Sequence, residues 1–244
     1  MAGHSKFKNI MHRKGSQDKK RAKLFSRLTR EISVSAKLGI PDPNVNPRLR
    51  TAINNAFAAN MPKDNIDKAI RKHSENEKNS LIEEIVYEGY GPSGIAVIIE
   101  CITDNKNRTA SEIRSTFSKN NGNLGISGSV RHFFEKVGIA VYSKNICEFE
   151  DIFEFSISVG VIDIQETEEH YELTIPNEEF HAILEKLEVK YELPVSSSVE
   201  WKAKELLQLE KEKIVKVIEL LEKLEDIDDV QNLYSNLKIP NDIL

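Results

Sequence analysis

Apolar residues recur every three or four positions from Gln17 onward, at Leu24, Phe25, Leu28, Ile32 and Ala36, and the run stops at Gly39 and Pro41. That spacing predicts an amphipathic helix with a clear C-terminal signal. A second helix is predicted from the Asn46 cap and Pro47 through Leu49, Ile53, Ala56 and Phe57 to Asn60, because Asn caps orphan N–H groups and Pro suits a first turn. A third opens at Pro62, with Asp64 and Asp67 early and Arg71 and Lys72 late, an arrangement matched to the helix dipole. Residues 17–73 thus read as a small three-helix domain, and the apolar-free stretch "SENEKNS" at 74–80 reads as a linker.

Past residue 80 the period falls to two. "EIVYEGY" and "IAVIIECIT" read as strands joined by the tight turn "GPSG". A helix over about 108–119 follows, with Thr109 and Glu112 at capping-box spacing, and "NNGNLGISGSV" then breaks the pattern. Residues 138–200 run strand, helix, strand, strand, helix, strand, the ferredoxin-like βαββαβ order. A long helix with Leu206, Leu209, Ile214, Val217, Ile218, Leu221 and Leu224 and a strand at "DDVQNLY" are left over. Returning them to the sheet of residues 81–130 is the economical solution. The expected fold is therefore multidomain α+β, with a basic helical domain at 1–78, an α+β domain at 79–134 plus 203–244, and an inserted ferredoxin-like domain at 135–202.

Charge changes the picture more than composition does. The net charge of −5 conceals +11 over residues 1–80 and −15 over residues 140–244. The first thirty residues hold ten Lys or Arg against Asp18 alone. Such a cluster attracts polyanions, whereas an acidic remainder repels them. Lys6, Lys8, Arg13, Lys14, Lys19, Lys20, Arg21, Lys23, Arg27 and Arg30 are the candidate phosphate ligands, with His4, Ser5, Asn9 and His12 able to add hydrogen bonds and Phe7 able to stack on a base. Lys19, Lys20, Lys23, Arg27 and Arg30 fall away from the apolar stripe of the first helix. A secretory signal would need an apolar core that these residues lack, and a mitochondrial presequence would be Arg-rich and amphipathic from its start. No stretch approaches the roughly 20 apolar residues of a membrane span. Cys101 and Cys147 form no CxxC pair, so a reducing cytoplasm is the expected compartment.

Catalytic signatures are missing: there is no GxxxxGK[ST], GxGxxG, GxSxG or HExxH, and no two of the six histidines share a helix-face spacing. No cofactor and no metal is expected. Asp104 reads as a cap for the following helix, and Glu100 with Asp104 is the least implausible carboxylate pair for a metal-dependent hydrolase, the remote alternative. "GNLGISGS" can cradle a phosphate but reads better as a structural turn.

Four segments carry a family resemblance: "MAGHSKFKNIMHRKGSQDKKRAKLFSRLTREI", "NPRLRTAINNAFAANMPKDNIDKAI", "YEGYGPSGIAVIIECITDNKNRTASEIR" and "FSKNNGNLGISGSV". The chain resembles the YebC/PmpR family, whose relatives include a mitochondrial translational activator of cytochrome oxidase. The resemblance implies three domains, one inserted in another, and a nucleic-acid partner reached through Lys6 to Arg30, to which Arg48 and Arg50 of "NPRLRT" are added. It implies a non-enzymatic, DNA-binding transcriptional regulator, with a ribosome- or RNA-binding translation factor as the alternative. Phe7 stands where the family commonly has Trp, and Arg131 and His132 where it tends toward small or aromatic residues.

Overall fold

The computed structural model describes residues 17–71 and 82–240, with side chains from Arg21 onward. The expected linker at 74–80 lies outside the described residues. Among them are seven α-helices and eight strands in two four-stranded antiparallel sheets. They divide into two compact units, one of residues 82–135 and 201–240 and one of 21–71 and 136–200.

In the second unit, α1 (Gln17–Leu38), α2 (Pro47–Ala58) and α3 (Lys63–Arg71) pack around Ile32, Ala36, Leu49, Ala52, Ala56, Met61, Ile66 and Ala69. Of the predicted apolar positions, Ile32, Ala36, Leu49 and Ala56 are buried and Phe25, Leu28 and Ile53 partly so, whereas Leu24 and Phe57 are exposed. Asn46 does more than cap: its carbonyl accepts from the Leu49 N–H at 3.1 Å, and its amide donates to the carbonyls of Ser35 and Ile40 at 2.9 Å each. One side chain therefore satisfies orphan groups at the end of α1 and the start of α2.

Residues 134–203 contribute β4 (Phe134–Ser143), α5 (Phe149–Val159), β5 (Asp163–Glu166), β6 (His170–Pro176), α6 (Phe180–Tyr191) and β7 (Ser196–Ala203). The sheet order β5-β6-β4-β7 is the ferredoxin-like arrangement that the sequence predicts. Both helices cover the face that carries Ala140, Tyr142, Tyr171, Leu173 and Ile175. Gly138 is required there, since a Cβ would collide with the Phe180 ring.

Strand β7 is an edge of this sheet, and an exposed edge invites mispairing. Asn55 of α2 covers part of it. Its amide donates to the Ser197 carbonyl at 2.6 Å and its carbonyl accepts from the Ser197 N–H at 3.0 Å, so one side chain imitates a neighbouring strand. Asn55→Ala should cost about 1–3 kcal/mol, because both Ser197 groups lose partners in a half-buried place. Hydrogen exchange at the Ser197 amide checks this, with faster exchange expected.

In the first unit, β1 (Glu83–Tyr90) and β2 (Ala96–Thr103) form a hairpin whose turn places Ser93 (φ 61°) and Gly94 (φ 77°) in the left-handed region. α4 (Lys106–Lys119), β3 (Asn123–Leu124), α7 (Lys211–Glu225) and β8 (Val230–Ser235) complete the sheet, in the order β3-β1-β2-β8. β8 thus returns across more than a hundred residues to pair with β2, enclosing the ferredoxin-like segment in the sequence. α4 and α7 cover one face around Ile95, Val97, Ile99, Phe117, Val217, Leu221 and Leu224. Gly89 lets the Phe117 ring reach the sheet, since a Cβ would stand 2.8 Å from it.

Local details differ from expectation. Neither Thr109 nor Asp104 caps α4. Asn105 does, accepting from the Arg108 N–H, while Thr109 is buried and donates to Asp229 at 2.7 Å. α7 begins at Lys211, so Leu206 and Leu209 precede it, and α6 begins at Phe180 after a 3-10 turn at Asn177–Glu179.

Candidate nucleic-acid interface

The basic residues named from the sequence meet different fates. Lys6, Lys8, Arg13 and Lys14 lie outside the described residues, as do the side chains of Lys19 and Lys20. At about 100° per residue, Lys23, Arg27 and Arg30 share one face of α1, opposite Phe25, Leu28, Ile32 and Ala36. All three are half-buried. Arg21 stands on the other side, its guanidinium 5.2 Å from the Phe25 ring centre in an i,i+4 stack.

Arg48 and Arg50 are half-buried too, and both meet acids or a histidine of their own unit. The Arg48 guanidinium grips Glu31 of α1 at 2.8 and 3.2 Å, and Glu31 also accepts from the Ser35 hydroxyl at 3.2 Å. That two-point pair ties α2 to α1. Arg50 acts on His181 and Glu188 of α6. Burial, then the Arg50 charge, lowers the His181 pKa and so favours the neutral imidazole. Burial raises the Glu188 pKa, with Arg50 and a hydrogen bond from Asn54 opposing it. The structure thus gathers Lys23, Arg27 and Arg30 on one helix face and gives Arg48 and Arg50 partners within their own unit.

The glycine-rich loop carries an anion of its own. Glu88 on β1 is 1 % exposed, and its carboxylate accepts from the backbone N–H groups of Gly128 at 2.8 Å, Val130 at 3.0 Å and Arg131 at 3.0 Å. The Arg131 guanidinium adds an ion pair at 3.3 Å and lies 5.4 Å from the Trp201 ring centre. A nest of amides that suits a phosphate is filled by a side chain. Burial pushes the Glu88 pKa up, but the three N–H bonds and Arg131 together hold it below the ordinary value. Sequence reasoning missed Glu88, although an acid between Val86 and Tyr90 on one strand face was a usable signal.

Glu100, Asp104 and Asp229 are engaged as well. Glu100 accepts from the Trp201 indole at 2.9 Å, the Asn232 amide at 3.0 Å and the Tyr234 hydroxyl at 3.3 Å. Asp104 pairs with Arg108 at 2.9 Å, and Arg108 also reaches Asp229 at 3.0 Å. Burial raises the Asp229 pKa, but bonds from Thr109, Arg108 and Thr103 bring it below normal. Burial drives the Cys101 thiol up to about 12, which leaves it inert as a nucleophile. Among the described residues, no three His, Cys, Asp or Glu side chains are grouped to hold a metal ion, and no helix is long and apolar enough to cross a membrane.

A helical segment with a cationic face, followed by two sheet assemblies of which one is inserted in the sequence of the other, defines a multidomain α+β protein with its basic residues gathered toward one end of the chain. A family profile described as "TACO1/YebC protein N-terminal domain" matches residues 5–76, and "TACO1/YebC second and third domain" matches residues 82–237. The chain is 45% identical over 244 residues, 100% of its length and 98% of the relative's, to a protein of Zymomonas mobilis named "Probable transcriptional regulatory protein". It is also similar to the crystal structure of a conserved hypothetical protein from Aquifex aeolicus, with a TM-score of 0.84 and 43% identity over 92% of this chain and 93% of that one. The chain belongs to the TACO1/YebC family.

Proposed function

We propose that the protein is a non-enzymatic regulator that binds nucleic acid, and specifically DNA, in control of transcription in the cytoplasm. The observation that carries this reading is the basic density of residues 6–30, which continues along α1 as Lys23, Arg27 and Arg30 on the helix face opposite the apolar stripe. Ten cations against one acid in thirty residues attract a polyanion. The name of the Zymomonas mobilis relative supports a regulatory role. The absence of catalysis is supported by the carboxylates of Glu88, Glu100, Asp104 and Asp229, each of which is held by hydrogen bonds or an ion pair. The three-domain division at 1–78, 79–134 plus 203–244, and 135–202 belongs to the same proposal.

Ultraviolet crosslinking in living cells, with sequencing of the bound nucleic acid, tests the assignment. Enrichment of promoter DNA is expected. Ribosomal or messenger RNA recovered without promoter enrichment, together with salt-sensitive co-sedimentation with ribosomes, would replace it with the translation-factor reading.

A further inference from the structure

Helix α5, FEDIFEFSISV, has no basic residue and more apolar side chains than its core face can bury. Ile152 and Ser156 face inward and are fully buried. Phe153 and Ile157, one turn apart, are 41% and 59% exposed, and Ile162 just beyond the helix is 62% exposed. Phe149, partly buried against the core beside Tyr171, extends the stripe by a turn, its ring centre 5.5 Å from that of Phe153. Glu150 and Glu154 run beside the stripe, and both are exposed. Exposed phenylalanine and isoleucine at i, i+4 spacing, rimmed by acids, mark a contact surface rather than scattered surface apolarity.

Charge selects the occupant. Residues 138–200 carry three Lys against fifteen Asp or Glu. A phosphate backbone or an anionic membrane is repelled by that balance. A second copy using the same face would set Glu150 and Glu154 against their own counterparts, where like charges cost affinity. We propose that the Phe149, Phe153, Ile157 face of α5 docks a cationic amphipathic segment of a partner protein, its apolar residues lying on the stripe and its Lys or Arg residues on Glu150 and Glu154. The inference is independent of the nucleic-acid reading, which concerns α1 and the residues before it.

The test uses the full chain and a fluorescein-labelled 14-residue Leu/Lys peptide of helical amphipathic pattern, read by fluorescence anisotropy. A peptide of identical composition with its pattern scrambled is the control. The patterned peptide should bind at least about tenfold more tightly than the scrambled one, and Phe153→Ser with Ile157→Ser should remove that difference. Glu150→Lys with Glu154→Lys should weaken binding similarly, whereas Glu168→Gln with Glu169→Gln, acids elsewhere on the same segment, should leave it unchanged. Equal binding of both peptides, or of wild type and the Phe153/Ile157 variant, overturns the proposal. So does a wild-type dimer in sedimentation velocity that the Phe153/Ile157 variant dissolves, which assigns the face to self-association, and so does Phe153-dependent binding to phosphatidylglycerol vesicles.

Discussion

Glu88→Ala should lower the stability of the β1-containing unit by about 3 kcal/mol or more, and its thermal midpoint by about 10 °C, more than an exposed acid on the same strand would. The carboxylate is buried and is the partner of three backbone N–H groups and one guanidinium, so its removal leaves four donors unmatched at once. Solvent must then enter, and the loop from Gly125 to Phe133 should lose its fixed shape. Hydrogen exchange should accelerate at the Gly128, Val130 and Arg131 amides. Glu88→Gln keeps the volume but presents an NH2 group to amide donors, so an intermediate loss is expected. The same bonds set a pH dependence. The folded-state pKa is depressed, so the stabilisation is present above the ordinary value of 4.5 and is lost as pH falls below it through the folded value. Wild type should therefore lose stability on acidification below about pH 4.5 more steeply than Glu88→Gln. An unchanged midpoint for Glu88→Ala, with the three amides still protected, would mean that the loop holds itself.

What the sequence made legible, and what it concealed, divides by the range of the interaction. The α1 stripe, the Asn46 cap before Pro47 and the βαββαβ order all depend on neighbours within a few residues, and each is present. Thr109 and Glu112 have capping-box spacing, yet Asn105 offers the same chemistry four residues earlier and Thr109 is needed by Asp229, 120 residues downstream. No local pattern could announce that partner. The glycine-rich loop is a turn, as its composition predicts, but what fixes it is a carboxylate 40 residues upstream, which no local pattern announces. The return of β8 to β2 was legible because an orphan helix and strand had to bury their apolar faces somewhere. Charge counting ranked every Lys and Arg alike. It could not separate Arg48, held by Glu31, and Arg50, beside His181 and Glu188, from Lys23, Arg27 and Arg30, which share the α1 face opposite the apolar stripe.

That separation gives the second large effect. Lys19→Gln, Lys20→Gln and Lys23→Gln together should weaken DNA binding by about tenfold or more at low salt, and reduce the slope of log K against log salt by about 2.7, which is roughly 0.9 for each phosphate released. The thermal midpoint should move little, because Lys to Gln keeps most of the apolar stem and removes only a charge. Arg48→Ala should behave in the opposite way. It removes the two-point grip on Glu31 between α1 and α2, so it should lower the midpoint while taking less than one unit from the salt slope. Both variants are read by the same two measurements, a salt titration of binding and a thermal melt. If the triple variant keeps its slope while Arg48→Ala loses a full unit, the phosphate contacts lie on the α2 side and not at Lys19, Lys20 or Lys23. If neither slope changes, Lys19, Lys20, Lys23 and Arg48 are not phosphate ligands, and the contacts are left to Lys6, Lys8, Arg13 and Lys14 or to Arg21, Arg27, Arg30 and Arg50.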